Sequence, residues 1–462
     1  VAVVKPKSLP IFVSLALVLA ATSPAAEPTV ETVAPGLRHL VISRGEVATA
    51  KSYRIVIGEF ESQADADRVL ERLEEDGITV FPISFGSDYC IVTPGLPHRT
   101  EAEDLRQQLI DRGFSPPLEI EEISHDLNHA GGPWRIHVLE ADPNMIDVRV
   151  AHASDAAIGL ETTAELASRH GALAAINGGY FYMKGLLAGD SRGAVEIDDR
   201  LLSEPDRGRA SVGFFEREGT TRSVFGRLGF QGWIHLATGE PLRFRGLNRK
   251  RDPSVMVLFT PDFHRSTLTP AGGAEVVITN SRIVAINQGG GSTPIPAEGV
   301  VLSIGAERVA EVLPRLRVGD GASIETKLVP LLPDPEHDWD RTQYIVSGGP
   351  LLLWRGKRIE DPQVESISRV FSLARHPRTA VGARADGTLL LVTVDGRRPE
   401  ESVGMSLPEL TDLMLELGCV SAVNLDGGGS TTMVIDGKVA NQPSGSSPRR
   451  NADAILLYPR KR

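Results

Sequence analysis

The stretch that most constrains this chain is Asn424-Leu425-Asp426-Gly427-Gly428-Gly429-Ser430-Thr431-Thr432-Met433, entered from the apolar run Val420 to Val423. It predicts a buried strand that ends in an amide, a carboxylate and three glycines. Consecutive glycines remove side chains and admit positive φ, so backbone N–H groups can press against a ligand. Asn424 and Asp426 are two apart, so they share one face if the strand conformation persists. The plainer reading is a tight hairpin loop with turn-favouring Asn and Asp.

A second unit repeats this design. Thr162 or Thr163 caps a predicted helix that runs to Arg169 and is stopped by Gly171; Leu173 to Ile176 then lead into Asn177-Gly178-Gly179-Tyr180-Phe181. Ser406-x-x-Glu409 is a capping box for a helix to Leu417, stopped by Gly418, before the strand that delivers Asn424. In both units the Asn stands six residues after the stopping glycine. Two strand ends that each bring an Asn and a glycine cluster are expected to meet at one site.

A chain of 462 residues, 41% hydrophobic and 24% charged, has material for two or three folded domains. Its net charge of −11 and its lack of a basic patch before Arg460-Lys461-Arg462 argue against a nucleic-acid partner. The two cysteines, Cys90 and Cys419, read as buried small hydrophobes and cannot build a structural zinc site.

Lys5 and Lys7 followed by the apolar Ile11 to Ala21 and the small residues to Ala26 predict a signal peptide over 1–26, with an uncleaved anchor as the alternative. Val1 suggests a non-ATG start and hence a bacterial chain, exported to the periplasm or cell envelope. Residues 27–50, rich in Pro, Thr and Ala, are expected to be a linker.

Residues 51–123 contain an internal repeat of 36 residues. Tyr53 to Gly58 is answered by Tyr89 to Pro94, Ala66-Val69-Leu70-Leu73 by Ala102-Leu105-Leu109, and Gly77 by Gly113. Each unit reads strand, helix, strand, and two of them predict a ferredoxin-like sheet with both helices on one face. This segment resembles the SPOR domain, carried by Tyr53 to Phe60, Ala64-Asp65-Ala66, Gly77, Glu101-Ala102-Glu103 and Gly113-Phe114. The resemblance implies binding to peptidoglycan glycan strands. Sixteen acidic against seven basic residues over 51–122 suit a neutral sugar ligand better than an anionic one.

From Trp134 the chain changes to short alternating strands separated by Gly and Pro turns. The whole is expected to be α+β: a ferredoxin-like SPOR module, then a larger strand-rich mixed α+β catalytic domain over 134–459. Asn177-Gly-Gly-Tyr-Phe, Gly348-Gly-Pro-Leu-Leu, Arg378-Thr-Ala-Val-Gly, Asp395-Gly-Arg and Asn424 to Thr432, in this order, resemble the phosphodiester glycosidase family. The tail, Arg450-Asn451-Ala452-Asp453, matches the family only loosely.

The resemblance implies hydrolysis of a sugar-1-phosphodiester of the N-acetylglucosamine-1-phosphate type. A substrate of this kind carries one negative charge and an anomeric carbon prone to oxocarbenium character. Asp426 is the expected catalytic carboxylate, with Asp395 as the second. Arg378 and Arg397 are expected to hold the phosphate, the amides of Gly427, Gly428 and Gly429 to complete an anion nest, and Asn177, Gly178, Asn424, Ser430 and Thr431 to bind substrate or orient Asp426. Tyr180 or Phe181 offers a sugar-stacking face. Alternatively, the oxygen-rich set Asp395, Asn424 and Asp426 holds Ca²⁺ or Mg²⁺ in a metal-dependent phosphodiesterase. A non-catalytic glycan-binding protein of the envelope is the remaining alternative.

Overall fold

The structure, a computed structural model, describes residues 27–460 apart from 48–49, 86–87, 115–117, 124–130, 238 and 360. The expected signal peptide lies outside the described residues.

The repeat segment folds as its pattern predicts. Strands Ser52–Phe60, Phe81–Phe85, Asp88–Val92 and Glu119–Ile123 form one antiparallel sheet, with the first and third paired at its centre. Helices Gln63–Glu75 and Arg99–Asp111 pack through Ala66, Leu70, Leu73, Ala102 and Leu109, all fully buried. The positions spaced by three and four residues are the ones that turn inward. This is the ferredoxin-like order expected of two strand–helix–strand units.

The expected linker is not one. Thr29–Ala34 and Leu37–Arg44 form a hairpin, and its second strand pairs along its whole length with Trp134–Ala141. Leu37 is fully buried in the main core. Leu37 turns into the main core while Leu40 and Ile42, on the opposite face, pack against the second core, so both faces of the strand are covered and its backbone is paired. The SPOR module is therefore inserted between two strands of the larger domain.

That larger domain is built on an antiparallel sheet of eight strands. Trp134–Ala141 pairs with Leu389–Val394, which pairs with Arg378–Arg384, then Cys419–Asn424 and Leu351–Trp354. A five-stranded sheet holding Ile146–His152, Ala174–Asn177, Met433–Ile435 and Asp453–Pro459 lies against it. Leu139, Val381, Leu391 and Val423 from the first meet Val148, Ile176 and Ile455 from the second in one core. The capped helix Leu407–Glu416 covers the other face of the eight-stranded sheet through Leu410, Leu413 and Met414. A further sheet holds Ala210–Arg217, the long strand Thr220–Leu236 and Tyr344–Ser347; the region 246–304 adds a five-stranded sheet with its own core.

The module and the larger domain share a short helix, Arg369–Leu373. Val370, fully buried, and Leu373 belong to the module's core. The Val370 N–H donates to Asp67 Oδ1 at 2.8 Å, and Arg369 pairs with Glu74 at 2.6 Å.

Candidate active site

Two strands from different sheets end side by side. Ala174–Asn177 and Cys419–Asn424 each follow a helix with a reciprocal cap, at Thr162 with Glu165 and at Ser406 with Glu409. Their ends are tied together: Asn177 Nδ2 donates to the Asp426 carbonyl at 2.7 Å, and the Asp426 N–H donates to the Gly178 carbonyl at 3.1 Å. The Asn177 Oδ1 accepts from Thr379 Oγ1 at 2.9 Å and from the Thr432 N–H at 3.1 Å. Asn424 Nδ2 donates to the Gly349 carbonyl at 2.7 Å and to Tyr180 Oη at 3.0 Å. Both asparagines are fully buried. Asn177 fixes the Asp426 backbone, whereas Asn424 ties the Gly349 carbonyl to Tyr180 and leaves its buried Oδ1 without a hydrogen-bond partner.

Asp426 lines a cleft of about 410 Å³ and is the only carboxylate in its described wall. Burial pushes its pKa up to about 6, and Asp453 adds to the rise; the Ser430 hydroxyl, the Arg449 guanidinium and the Gly427 N–H oppose it. A carboxylate held there is still ionised at neutral pH and is basic enough to take a proton from water.

The opposing charge comes from arginines. Arg192, Arg209 and Arg449 share the cleft wall. Arg209 is buried, its Nε has no hydrogen-bond partner, and its guanidinium sits 5.1 Å from the Tyr180 ring centre. Arg449 lies over the glycine loop: a Cβ on Gly429 would stand 2.5 Å from its Nη2. Arg397 lies over the same loop, its Nη2 3.3 Å from where a Gly428 Cβ would be. Loss of water and the neighbouring Arg449 both hold the Arg397 guanidinium below its ordinary pKa. Among the described residues no carboxylate pairs with Arg209, Arg397 or Arg449 within 4.0 Å. Asp426 and Glu365 act on Arg449 and Arg209 only from beyond ion-pair distance, and Arg397 and Arg449 stand as neighbouring like charges, an arrangement suited to receive an anion.

Several of the predicted site residues have other work. Arg378 is 1% exposed, and its Nε and Nη2 donate to the carbonyls of Met405, Phe371 and Ala374 at 2.8, 3.1 and 2.8 Å. It braces the wall of the cleft from behind. Asp395 is also 1% exposed; its Oδ1 accepts from Asn441 Nδ2 and the Gln442 N–H at 3.0 Å each, and His137 Nε2 stands 3.7 Å from Oδ2. It anchors the segment around Asn441 and does not face Asp426 across the cleft. The glycine nest is mostly closed as well. The Gly428 N–H donates to the Pro377 carbonyl at 2.8 Å, and the Ser430 and Thr431 amides turn back on Gly427 and Gly428. A Cβ on Gly427 would stand 2.6 Å from the Pro377 carbonyl, Gly428 has a positive φ, and a Cβ on Gly429 would meet the Arg449 guanidinium. Ser430 and Thr431 are buried at 0% and 1% exposure; the Ser430 hydroxyl acts on the Asp426 carboxylate, and Thr431 Oγ1 accepts from Thr379 Oγ1 at 3.4 Å. Gly178 is bare for a different neighbour: its Cβ would lie 1.9 Å from Asp453 Oδ1, which accepts from the Gly179 N–H at 2.7 Å.

Asp395 is taken by Asn441 and Gln442 and does not converge with Asp426, so the set Asp395, Asn424 and Asp426 does not form a cation site, although the Asn424 Oδ1 is buried without a hydrogen-bond partner. Among the described residues no group of three or more His, Cys, Asp or Glu side chains stands together as metal ligands would. Tyr180 and Phe181 do line the cleft, with Tyr180 edge-on to Phe371 at 6.5 Å. Arg209 and Arg192 were not singled out from the sequence, since each lies in a Gly/Arg-rich turn without a neighbouring motif. Arg449 immediately precedes the tail stretch Arg450-Asn451-Ala452-Asp453 and was not singled out either.

Fold and cleft together define a two-part α+β protein whose larger part presents one raised-pKa carboxylate to an anion-receiving wall of arginines. Residues 272–458 match the phosphodiester glycosidase family profile and residues 49–120 that of the SPOR domain. The chain thus carries a SPOR domain and a phosphodiester glycosidase domain. Bovine N-acetylglucosamine-1-phosphodiester alpha-N-acetylglucosaminidase is 46% identical over 88 residues, 18% of this chain and 16% of the relative. The mouse protein of that name is 43% identical over 104 residues, 22% and 20% of the two chains. The prophage-derived protein YomE of Bacillus subtilis is 42% identical over 86 residues, 18% and 13%. The chain thus matches no more than a fifth of the length of these curated relatives. Among solved structures, a protein of Burkholderia pseudomallei K96243 aligns over 94% of this chain and 97% of its own, with TM-score 0.70 and 24% identity. A protein from Synechocystis aligns over 95% and 80%, with TM-score 0.63 and 20% identity. These two likenesses are of fold.

Proposed function

We propose that this protein is an exported bacterial hydrolase of a sugar-1-phosphodiester, of the N-acetylglucosamine-1-phosphate type, in an envelope glycan, held at peptidoglycan by its SPOR domain. The observation that carries the reading is Asp426, its pKa pushed up to about 6, in one cleft with Arg209 and Arg449, which have no carboxylate within 4.0 Å among the described residues, and with Arg397 beside Arg449. The guanidinium groups of Arg449, Arg397 and Arg209 hold the phosphodiester. The phosphate monoester formed on cleavage stays bound to them and needs little protonation to depart. Asp426 is then free to act at the anomeric carbon, as a nucleophile or as the base that deprotonates water. The family resemblance and the short stretches shared with the bovine and mouse enzymes support the choice of bond and sugar.

The test is a panel of sugar-1-phosphodiesters assayed with the wild type and Asp426→Asn. The expected result is release of free sugar and a phosphomonoester by the wild type, with ¹⁸O from water found on the sugar, and loss of turnover with retained binding in the variant. Label on the phosphate would instead mean P–O cleavage, and full activity of Asp426→Asn would end the proposal.

A further inference from the structure

The cleft that holds Asp426 is not closed by the larger domain alone. Gln63 and Tyr89, both from the SPOR module, complete its outer wall. They touch each other, Gln63 Nε2 donating to Tyr89 Oη. Their place is fixed by the shared helix Arg369–Leu373. Its Val370 and Leu373 are part of the module's core, while Phe371, next to them, lines the cleft. Asp67, Glu74 and Phe81 of the module add a hydrogen bond, an ion pair and a guanidinium–ring contact to the same region. A module tethered only by a flexible linker would not hold two side chains against a catalytic cleft.

We propose that the SPOR module supplies the outer subsite of the hydrolase, with Gln63 and Tyr89 receiving an uncharged saccharide to which the phosphodiester is attached. This rests on the hydrolase reading above. A volume of about 410 Å³ suits one sugar phosphate, so the rest of a larger substrate must leave past the rim. At that rim the chemistry changes. The arginines stand on the larger domain's side, whereas the module offers a half-buried phenol ring and an exposed amide, an apolar face beside hydrogen-bonding groups. Exposed Glu61 lies two residues from Gln63, and the module as a whole is strongly acidic. A second phosphate placed there would meet like charge. The substrate class is therefore a neutral glycan that carries an isolated sugar phosphodiester, in preference to a chain of repeating phosphodiesters. In the reaction the anomeric C–O bond breaks, water oxygen bonds to that carbon, Asp426 takes the water proton, and the phosphate stays on the saccharide as a monoester.

The experiment uses the full chain and three probes: N-acetylglucosamine-1-phosphate as its methyl diester, the same group esterified to a neutral disaccharide, and a poly(glycosyl phosphate). Wild type should prefer the disaccharide diester to the other two. In Gln63→Ala and Tyr89→Ala the ratio of kcat/KM for the disaccharide over the methyl diester should fall about tenfold, through KM. Gln63 is exposed, so its variant keeps the fold, and Tyr89→Phe retains the ring should Tyr89→Ala unfold. An unchanged ratio in Gln63→Ala and Tyr89→Phe, or a wild-type preference for the polyanion, overturns this inference alone. Failure of the wild type to cleave any of the three overturns the hydrolase reading and this one with it.

Discussion

Asp426→Asn should do two opposite things, and the second can be worked out from its surroundings. Folding moves this carboxyl from its ordinary pKa of 3.8 to about 6, chiefly by taking water away from it. The folded state therefore holds the proton more tightly than the unfolded chain. Stability from this group is complete below the unfolded value and is lost as pH rises through the folded one. Two pH units correspond to about 3 kcal/mol, which is the most that the charge costs the fold at pH 8. Asn cannot ionise and keeps an acceptor for the Gly427 N–H. The variant should thus gain up to about 3 kcal/mol over the wild type at pH 8, roughly half of that at pH 5, and almost nothing at pH 3. Urea unfolding of both proteins across this range measures the difference. Turnover should fall by about 10²–10⁴, and the wild-type kcat/KM should rise with pH through an apparent pKa near 6. A variant no more stable than the wild type at pH 8 would refute the assignment of burial as the cause of the shift, and with it the view of Asp426 as a group held in tension for catalysis.

Arg397→Ala and Arg449→Ala should each lower kcat/KM by about ten- to a hundredfold, the range expected for losing a charged hydrogen bond of about 1.5–3 kcal/mol. Lys should restore part of the loss, and steady-state kinetics on any cleaved diester reads it; an unaffected KM would remove these residues from the anion site. Asp395→Ala leaves the Asn441 amide and the Gln442 N–H without their acceptor, so it should cost about 2–5 kcal/mol of stability. Folded Asp395→Asn should keep most of its turnover, and a thousandfold loss at unchanged melting temperature would return Asp395 to catalysis. Val370→Asp puts a carboxylate into the module's core at a fully buried position and should split a single thermal transition into two, with the module melting first. One cooperative transition at the wild-type temperature would show that the docking contributes nothing.

The elements that local pattern specifies were legible in the sequence. The repeat of Tyr53–Gly58 at Tyr89–Pro94 gave the module's sheet, because period, capping and stopping glycines are all short-range signals. The capping box at Ser406 formed where its spacing placed it, and of the two candidates Thr162 and Thr163 it is Thr162, with Glu165, that caps the other helix. The meeting of Asn177 with Asp426 was legible too, since both strands carry the same helix–Gly–strand–Asn frame. The roles of individual side chains were not. Asp395 and Arg378 look like ligands in a linear motif, yet Asp395 is taken by Asn441 and Gln442 and Arg378 by the carbonyls of Met405, Phe371 and Ala374, while Ser430 and Thr431 are buried. Arg209 is the converse: nothing in its neighbourhood of the chain marks it, and its unpartnered Nε becomes visible only once Tyr180 and Glu365 surround it. The hairpin at 29–44 was misread for a related reason. Its Pro, Ala and Thr content resembles a tether, and the strand it pairs with begins ninety residues later.

The misread hairpin bears on how the proposed hydrolase would work. A SPOR domain at the end of a flexible tether would bring the catalytic domain near a glycan strand and leave the encounter to diffusion. Here the chain enters the eight-stranded sheet first, leaves it to form the module, and returns through Trp134–Ala141 to the strand beside the one it left. Both ends of the module are thereby held at one sheet edge, and the contact with Arg369–Leu373 fixes its rotation. Gln63 and Tyr89 reach the cleft because of that double attachment. Binding by the module and the position of the scissile bond are therefore geometrically linked, and a linker inserted after Arg44 should weaken selection among diesters more than it weakens hydrolysis of the smallest one.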